Sequence, residues 1–348
     1  MTIPDNCDTI LNYIHKNMPE SHEAIGEYLL EMVERFSSRQ CYHQIIGEIS
    51  IIAVSTLTQD GFRTFVAHCP NPDRVIQEVI NEAKKLIWKK ELKNAAILLE
   101  YILPYAEVLP DNQKPAKILS FRDFIEYAYY MSYISPESDL LVHPYLGTEI
   151  LLIQGKYYAE KREADKAISI FNGVIRISPV NCQVLFELAE VYRDKGNMEE
   201  YRTITELCFT YAWKPEDLAH AYRNMGYFFT DSGDYEGAVT CYLMGTTWED
   251  SPITTRELAY IREKTGNFSD ISYYVAEGKK ILSDRNVPFG PNPDMIDLMM
   301  TYADECRTEG NFFEARKYLS RVKALQLSDD LEQQITAIER FIEDTTIF

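Results

Sequence analysis

Apolar residues recur along most of this chain with the spacing of amphipathic helices, and small residues mark equivalent places in successive segments. In the clearest segment, Gly226 is followed twelve positions later by Ala238, and the large residues Phe229 and Tyr242 each follow within one helical turn. Small residues let two helices approach closely, and large residues fill the space beside them. Gly233 between the halves permits a tight turn. The segment therefore predicts two antiparallel helices that share an apolar seam.

The same pair of positions recurs with a period of about 34 residues, as in arrays of helix hairpins. Both positions are small in four segments: Ala83 and Ala95, Gly155 and Ala167, Gly226 and Ala238, Ala303 and Ala315. Two further segments keep the first small residue, Ala189 or Ala259, but have Tyr201 or Ile271 at the second. Because a large side chain there holds the helices apart, we expect looser or shifted packing in those two segments.

This order of residues resembles the tetratricopeptide repeat family over about residues 76 to 328. The best-matching segment carries Leu151, Gly155, Tyr158, Ala167, Phe171 and Pro179. The resemblance implies an all-α fold, an α-solenoid in which tetratricopeptide-like hairpins stack into a right-handed superhelix with a helical N-terminal cap. Since each repeat contacts only its neighbours, a chain of 348 residues can form one such body.

We expect three parts along the chain. Residues 1–75 form an N-terminal helical cap or small helical module, residues 76–328 form the repeats, and residues 329–348 form a C-terminal capping helix. No well-marked repeat occurs within 113–146, which we interpret as an irregular helical insert. The capping helix is predicted from four apolar residues at helical spacing: Leu331, Ile335, Ile338 and Ile342.

The N-terminal part is the hardest to interpret. Residues 8–17 have helical apolar spacing, and Ser21 is a suitable N-cap for a second helix. Residues 41–55 mix β-branched and helix-forming residues, with helix favoured over strand. The dipeptide at 60–61, Asp-Gly, indicates a turn.

The charge balance argues against nucleic acid as a partner. The chain has 35 basic and 54 acidic residues, a formal net charge of −19, which repels phosphate backbones. A local exception surrounds Trp88, where the lysines are Lys84, Lys85, Lys89, Lys90 and Lys93. These lysines are interpreted as a solvated helix face, with an anion or acidic peptide as the alternative.

Nothing in the sequence indicates catalysis, a cofactor or a metal. The common phosphate-binding, nucleophile and zinc-protease motifs are missing, and the spacings of Cys41, His43, His68 and Cys69 match no established ligand pattern. Seven cysteines without paired spacing suit a reducing cytoplasm. No apolar run reaches membrane-spanning length, and no signal peptide begins the chain, so a cytoplasmic protein without a membrane partner is expected.

The predicted function is binding of a peptide or protein segment in the concave groove of the repeat array. In the family that the chain resembles, this surface is lined by fixed positions of the first helix of each repeat. Those positions hold Lys156, Glu190, Arg223, Tyr227, Arg256 and Tyr260. Guanidinium groups beside aromatic rings suit a peptide carboxylate and its neighbours. Alternatively, the arginines pair with Glu190, Glu257 or Glu263 and connect the repeats.

Two other functions stay open, and the oligomeric state is not predicted. Some bacterial response-regulator phosphatases and peptide-pheromone sensors join an N-terminal helical bundle to tetratricopeptide repeats, and the layout is similar in outline. Residues 1–75 would then act on a partner as a regulatory module. In the other alternative, the same residues mediate self-association of a scaffold.

Overall fold

A computed structural model describes residues 6–106, 117–135, 140–266 and 271–326 of the chain. Within these ranges the chain forms seventeen α-helices, most of them in consecutive hairpins, so the predicted all-α fold of helix hairpins is confirmed. The predicted capping helix at 329–348 lies outside the described residues.

Helices account for most of the described chain, and two short strands accompany them. The helices are α1 (Cys7–Lys16), α2 (His22–Arg35), α3 (Tyr42–Thr56), α4 (Gln59–His68), α5 (Pro72–Trp88), α6 (Leu92–Ile102), α7 (Phe124–Tyr129), α8 (Tyr145–Glu160), α9 (Ala164–Ile177), α10 (Cys182–Asp194), α11 (Met198–Tyr211), α12 (Pro215–Ser232), α13 (Tyr235–Thr246), α14 (Pro252–Thr265), α15 (Ile271–Ser283), α16 (Pro293–Thr308) and α17 (Phe312–Gln326). The strands are β1 (Lys117–Leu119) and β2 (Leu140–Val142).

The chain divides into two compact units. The first comprises Met1–Ser120 and Val142–Ile177, and the second comprises Phe121–Leu141 and Ser178–Phe348. The core of the first unit runs through α1 to α6 and includes Ile150 and Ile153 of α8, without a break at residue 75. The N-terminal helices therefore share their apolar core with the α5–α6 hairpin. A separate functional role for residues 1–75 stays a prediction.

Local sequence signals explain where several helices begin. The Ser21 hydroxyl accepts a hydrogen bond from the Ala24 amide at 3.3 Å, which confirms the predicted N-cap of α2. Residues 42–56 are helical, as the sequence favoured. The turn predicted at 60–61 is wrong, because the Thr58 hydroxyl accepts a hydrogen bond from the Gly61 amide and caps α4 there.

The small residues of the repeat pattern stand where two helices approach most closely. A Cβ atom added to Gly226 would lie 2.7 Å from Cε1 of Tyr242, so only glycine fits against that ring. Gly233 adopts a left-handed backbone with φ of +80° at the turn between α12 and α13. Both roles predicted for these glycines are confirmed.

The looser packing expected around Tyr201 is wrong. Tyr201 is completely buried on α11, and its ring makes an edge contact with Tyr227 on α12, with centroids 6.0 Å apart and planes at 81°. The neighbouring hairpin therefore accommodates the large side chain, and α10 and α11 still form a closely packed pair.

The segment interpreted as an irregular helical insert contains more than helix. Its described residues form β1, the six-residue α7, a π-helical turn at Tyr130–Ile134 and β2. In the first unit, Leu119 O accepts a hydrogen bond from the His143 amide at 2.7 Å. In the second unit, the Trp213 indole N–H donates to the completely buried Glu126 of α7 at 3.1 Å.

The cysteines behave as apolar residues. All seven are free of disulfide bonds, and Cys182, Cys208 and Cys241 are buried on repeat helices. Burial raises the pKa of the Cys182 and Cys241 thiols well above the ordinary range, which keeps both thiols protonated. These positions use cysteine as a small core residue.

Candidate functional site

The six residues predicted to line the groove are divided between the two units. Lys156 lies on α8 of the first unit, half-buried. The other five lie on the first helices of three successive segments of the second unit: Glu190 on α10, Arg223 and Tyr227 on α12, and Arg256 and Tyr260 on α14. Among these five residues, those on α10 and α12 differ from those on α14 in exposure and in pairing.

The face between α10 and α12 is filled by contacts between its own side chains. His220 stacks on Phe186 with ring centroids 3.9 Å apart and planes at 14°. The Arg193 guanidinium lies 5.4 Å from the ring of Tyr227. Burial, together with the charges of Arg223 and Arg193, lowers the pKa of His220 to about 4, so its imidazole is uncharged at neutral pH. This face offers a packed surface with few free polar groups.

Arg223 is already engaged in an ion pair. Its Nη1 lies 2.7 Å from Oε2 of Glu249, and its side chain is only 15% exposed. Glu249 lies in the loop after α13. It is not one of the three glutamates that the sequence suggested as partners, all of which lie on helices. A ligand carboxylate would have to replace this glutamate, which makes Arg223 a poor anchor for a peptide.

Arg256 and Tyr260 on α14 are different, because both are exposed. Arg256 has no ion-pair or hydrogen-bond partner among the residues that the structure describes. The Tyr260 ring is 44% exposed, with the Lys264 ammonium 5.5 Å from its centroid. Ile253 lies on the same face of α14 as these two residues and is 50% exposed. A guanidinium and two apolar side chains are thus available along this side of α14.

In the helix pair α14–α15, the marker positions that form the seam between the two helices of a repeat are exposed to solvent. In the other five segments, both marker positions are buried, as are the residues four positions later at Leu99, Phe171, Thr205, Tyr242 and Leu319. In α14 and α15 the corresponding residues are exposed: Ala259, Ile271 at 53% and Val275 at 76%. The looser packing predicted from Ile271 is therefore confirmed.

Helix α15 directs its buried side at α13. Tyr274 and Gly278 are buried, and a Cβ atom on Gly278 would lie 3.6 Å from Cγ2 of Thr240. The Tyr273 hydroxyl donates a hydrogen bond to Glu236 at 2.8 Å. Because this side of α15 packs on α13, Ile271 and Val275 face solvent. Sequence reasoning missed Val275, although its place four residues after Ile271 was the available signal.

The open pair is locally basic within an acidic chain. Helix α14 contains three basic and two acidic residues, and α15 contains two basic and one acidic residue, which gives a local net charge of 5 − 3 = +2. The whole chain carries −19. An acidic partner is thus favoured here by the local charge and disfavoured elsewhere on the protein.

The lysines around Trp88 are largely paired in the first unit. Three of the five form ion pairs: Lys84 with Glu149, Lys85 with Glu82, and Lys90 with Glu160. Trp88 itself is 81% exposed at the end of α5. These pairs fit the interpretation of a solvated helix face.

Two other kinds of site are absent from the described ranges. They contain no group of three or more His, Cys, Asp or Glu side chains arranged to hold a metal ion. None of their helices has the length and apolar character needed to cross a membrane.

Comparison with known proteins adds a resemblance at low similarity. No family model matches the chain. No curated protein matches it either. Among solved structures, the APC/C hetero-tetramer Cut9-Hcn1 gives a TM-score of 0.32 at 10% identity, with 95% of this chain and 65% of that chain covered. The human IFIT1 dimer with PPP-AAAA gives a TM-score of 0.23 at 13% identity, with 95% and 96% covered.

The chain thus spans less than two thirds of the Cut9-Hcn1 chain that it matches. Its own helices and marker residues define the class: an all-α protein of successive helix hairpins that resembles the tetratricopeptide repeat proteins.

Proposed function

We propose that the protein is an interaction scaffold whose second unit binds an amphipathic helical segment of a partner protein along α14 and α15. The observation that carries this proposal is the exposure of Ile271 and Val275 at seam positions that are buried in the other segments. A third helix laid against this seam would bury the side chains that the pair leaves exposed. The protein acts by binding, without catalysis.

Exposed apolar residues are concentrated in this part of the second unit. Besides the two seam residues, α14 and α15 expose Ile253, Tyr260 and Tyr273, each by 40% or more. Single exposed apolar residues are ordinary, but several on two adjoining helices are typical of an interaction surface. The partner helix is therefore expected to carry an apolar stripe at i, i+3 and i+4 spacing.

Charge specifies the rest of the partner. Arg256 has no counter-ion in the described part of the chain, and the pair of helices has a local charge of +2. A carboxylate beside the apolar stripe of the partner would form a bidentate pair with the guanidinium. Tyr260 offers an apolar ring with a polar tip next to it. The proposed surface thus retains Arg256 and Tyr260 from the predicted groove. Arg223 is already paired with Glu249, and Lys156, Glu190 and Tyr227 are not part of this surface.

The test compares three variants of the intact chain. Val275→Glu places a charge in the open seam, Arg256→Glu reverses the free charge, and Phe313→Glu is the matched control. Phe313 is 70% exposed at the start of α17, outside α14 and α15, so its replacement removes a similar apolar surface elsewhere. All three positions are exposed, and circular dichroism checks that each variant folds.

Each variant is used to capture proteins from an extract of the source cells, and the captured segment is then synthesised and titrated. We expect Val275→Glu and Arg256→Glu each to lower the affinity for that segment about tenfold or more. Phe313→Glu should bind the segment as tightly as the original chain does. Replacing the acidic residues of the segment should remove the effect of Arg256→Glu. Equal binding by all three variants would exclude α14 and α15 as the site.

The alternatives from the sequence make different predictions. Self-association through residues 1–75 would appear as concentration-dependent mass in sedimentation of the intact chain. Deleting these residues is a poor test, because their core is continuous with that of α5. A regulatory enzyme would show turnover that Val275→Glu leaves unchanged.

A further inference from the structure

The second unit contains a cavity of about 820 Å³, partly open to solvent, between α13, α15, α16 and the end of α17. Its volume lies within the range of small-molecule sites, which are mostly apolar with few polar groups. The apolar and aromatic lining includes Leu243, Met244, Trp248, Tyr274, Phe289 and Ile296. The proposed helix site on α14 and α15 shares one residue with this lining, Val275.

The walls of this cavity are fixed by hydrogen bonds. The Tyr222 hydroxyl donates to Pro288 O at 2.7 Å and accepts from the Gly290 amide at 2.8 Å, so one buried side chain holds the loop that carries Phe289. The Trp248 ring stacks on Tyr222 with planes at 3°, and its indole N–H donates to Leu325 O at 2.9 Å. A wall held in this way needs little reorganisation to receive a ligand.

One charged side chain lies among the described residues of the lining. It is Asp297 on α16, and its carboxylate has no ion-pair or hydrogen-bond partner in the part of the chain that the structure describes. The other polar side chains of the lining include those of Thr240, Thr247 and Gln326. Asp297 is exposed to solvent beside the apolar lining. A ligand with an apolar body and a cationic head would contact both the lining and this carboxylate.

We propose that this cavity binds a small amphiphilic amine, with its apolar part against Trp248 and Phe289 and its ammonium group at Asp297. Apolar burial provides most of the affinity, because the aromatic and aliphatic lining is extensive. The carboxylate provides selectivity for a cation over a neutral or anionic head. This proposal does not rest on the partner helix proposed above, although Val275 belongs to both sites.

The experiment uses the full chain and three probes of equal length, decylamine, decanol and decanoate, which compete with Nile red below their micelle concentrations. We expect all three to displace the dye and decylamine to bind about tenfold more tightly than decanoate. Asp297→Asn should lower the affinity for decylamine about threefold and leave the affinity for decanol unchanged. Asp304→Asn, on the same helix but outside the lining, is the control for the general attraction of an acidic protein for cations.

A second pair of variants tests the location. Gly278 belongs to the lining, and a Cβ atom there meets only Thr240 at ordinary contact distance, so Gly278→Ala should fold and bind dye. Gly278→Leu should extend into the cavity and abolish dye binding. Dye binding by a folded Gly278→Leu chain overturns the site, and equal effects of the Asp297 and Asp304 substitutions overturn the role of Asp297.

Discussion

At the scale of single residues, the α8–α9 hairpin depends on one glycine. A Cβ atom added to Gly155 would overlap the ring of Phe171, with 2.7 Å to Cδ1 and a still shorter approach to Cε1. Phe171 is completely buried in the seam between the two helices, so its ring has little room to move. Close packing of this hairpin thus requires a missing side chain on α8.

We expect Gly155→Ala to destabilise the protein by about 1–3 kcal/mol, because overpacking outweighs the gain in helix propensity of about 1 kcal/mol. Gly173→Ala in the same hairpin is the matched control. A Cβ atom there meets only the end of the Arg176 side chain, at 3.7 Å, so this variant should gain about 0.5–1 kcal/mol. Thermal unfolding measures both changes, and equal signs for the two variants would contradict the seam argument.

Sequence reasoning reached the individual residues whose role is local. Gly226, Gly233 and the Ser21 cap were predicted, because each acts through its own hairpin or helix end. The pairing of Arg223 was not, since Glu249 lies beyond α13 and its approach depends on how that helix ends. Arg256 and Tyr260 are exposed on α14, and the six-residue groove stays a prediction.

At the scale of elements, α7 is held in the second unit by a buried cluster of charges. The Arg122 Nε donates to Oε1 of Glu126 at 2.6 Å, and the Trp213 indole donates to the same oxygen. Asp217 at the start of α12 lies 4.0 Å from Arg122, with one buried carboxylate oxygen that has no hydrogen-bond partner. The cluster therefore contains two carboxylates for one guanidinium.

Burial raises the pKa of Asp217, while Arg122 and Lys214 oppose the rise and Glu216 and Glu126 add to it. Protonated Asp217 thus contributes stability that is complete below the ordinary pKa of 3.8 and is lost as the pH rises through the higher folded value. We expect Asp217→Asn to raise the free energy of unfolding at neutral pH by on the order of 1 kcal/mol, and the melting temperature with it. The gain should shrink as the pH falls toward 3.8.

The control for this change is Glu126→Gln, which removes the closer partner of Arg122. The completely buried Glu126 balances the guanidinium charge, so its loss should cost about 3–5 kcal/mol. Melting temperatures of both variants, measured from neutral pH down to about pH 3.8, test both expectations. If Asp217→Asn destabilises the protein at neutral pH, its ion pair with Arg122 outweighs the cost of burial.

Elements also show why part of the fold escaped prediction. The repeat pattern placed the hairpins correctly, because small residues on facing helices act over one turn. The outcomes at Tyr201 and Ile271 differed although both break the same rule. The ring of Tyr201 finds room against Tyr227 of the next hairpin, whereas Ile271 lies on a helix that packs against α13 instead. A neighbouring hairpin decides between these outcomes, and no local pattern contains that information.

At the scale of the whole molecule, the formal charge of −19 opposes compaction. Local ion pairs relieve some of it. In the second unit, Arg285 contacts Asp234 at 2.5 Å and Glu236 at 3.0 Å. With 54 acidic and only 35 basic residues, most of the excess negative charge has no such partner. Folding brings these charges closer together than they are in the unfolded chain.

Salt should therefore stabilise this protein. Raising the ionic strength from about 0.01 M to about 0.15 M shortens the Debye length from about 30 Å to about 8 Å, which screens long-range repulsion more than the close contacts of Arg285. We expect the melting temperature at neutral pH to rise by a few degrees over this range. Sodium chloride and potassium chloride should act equally, because screening depends on ionic strength. A fall in melting temperature would instead mean that exposed ion pairs contribute more to stability than the excess charge subtracts.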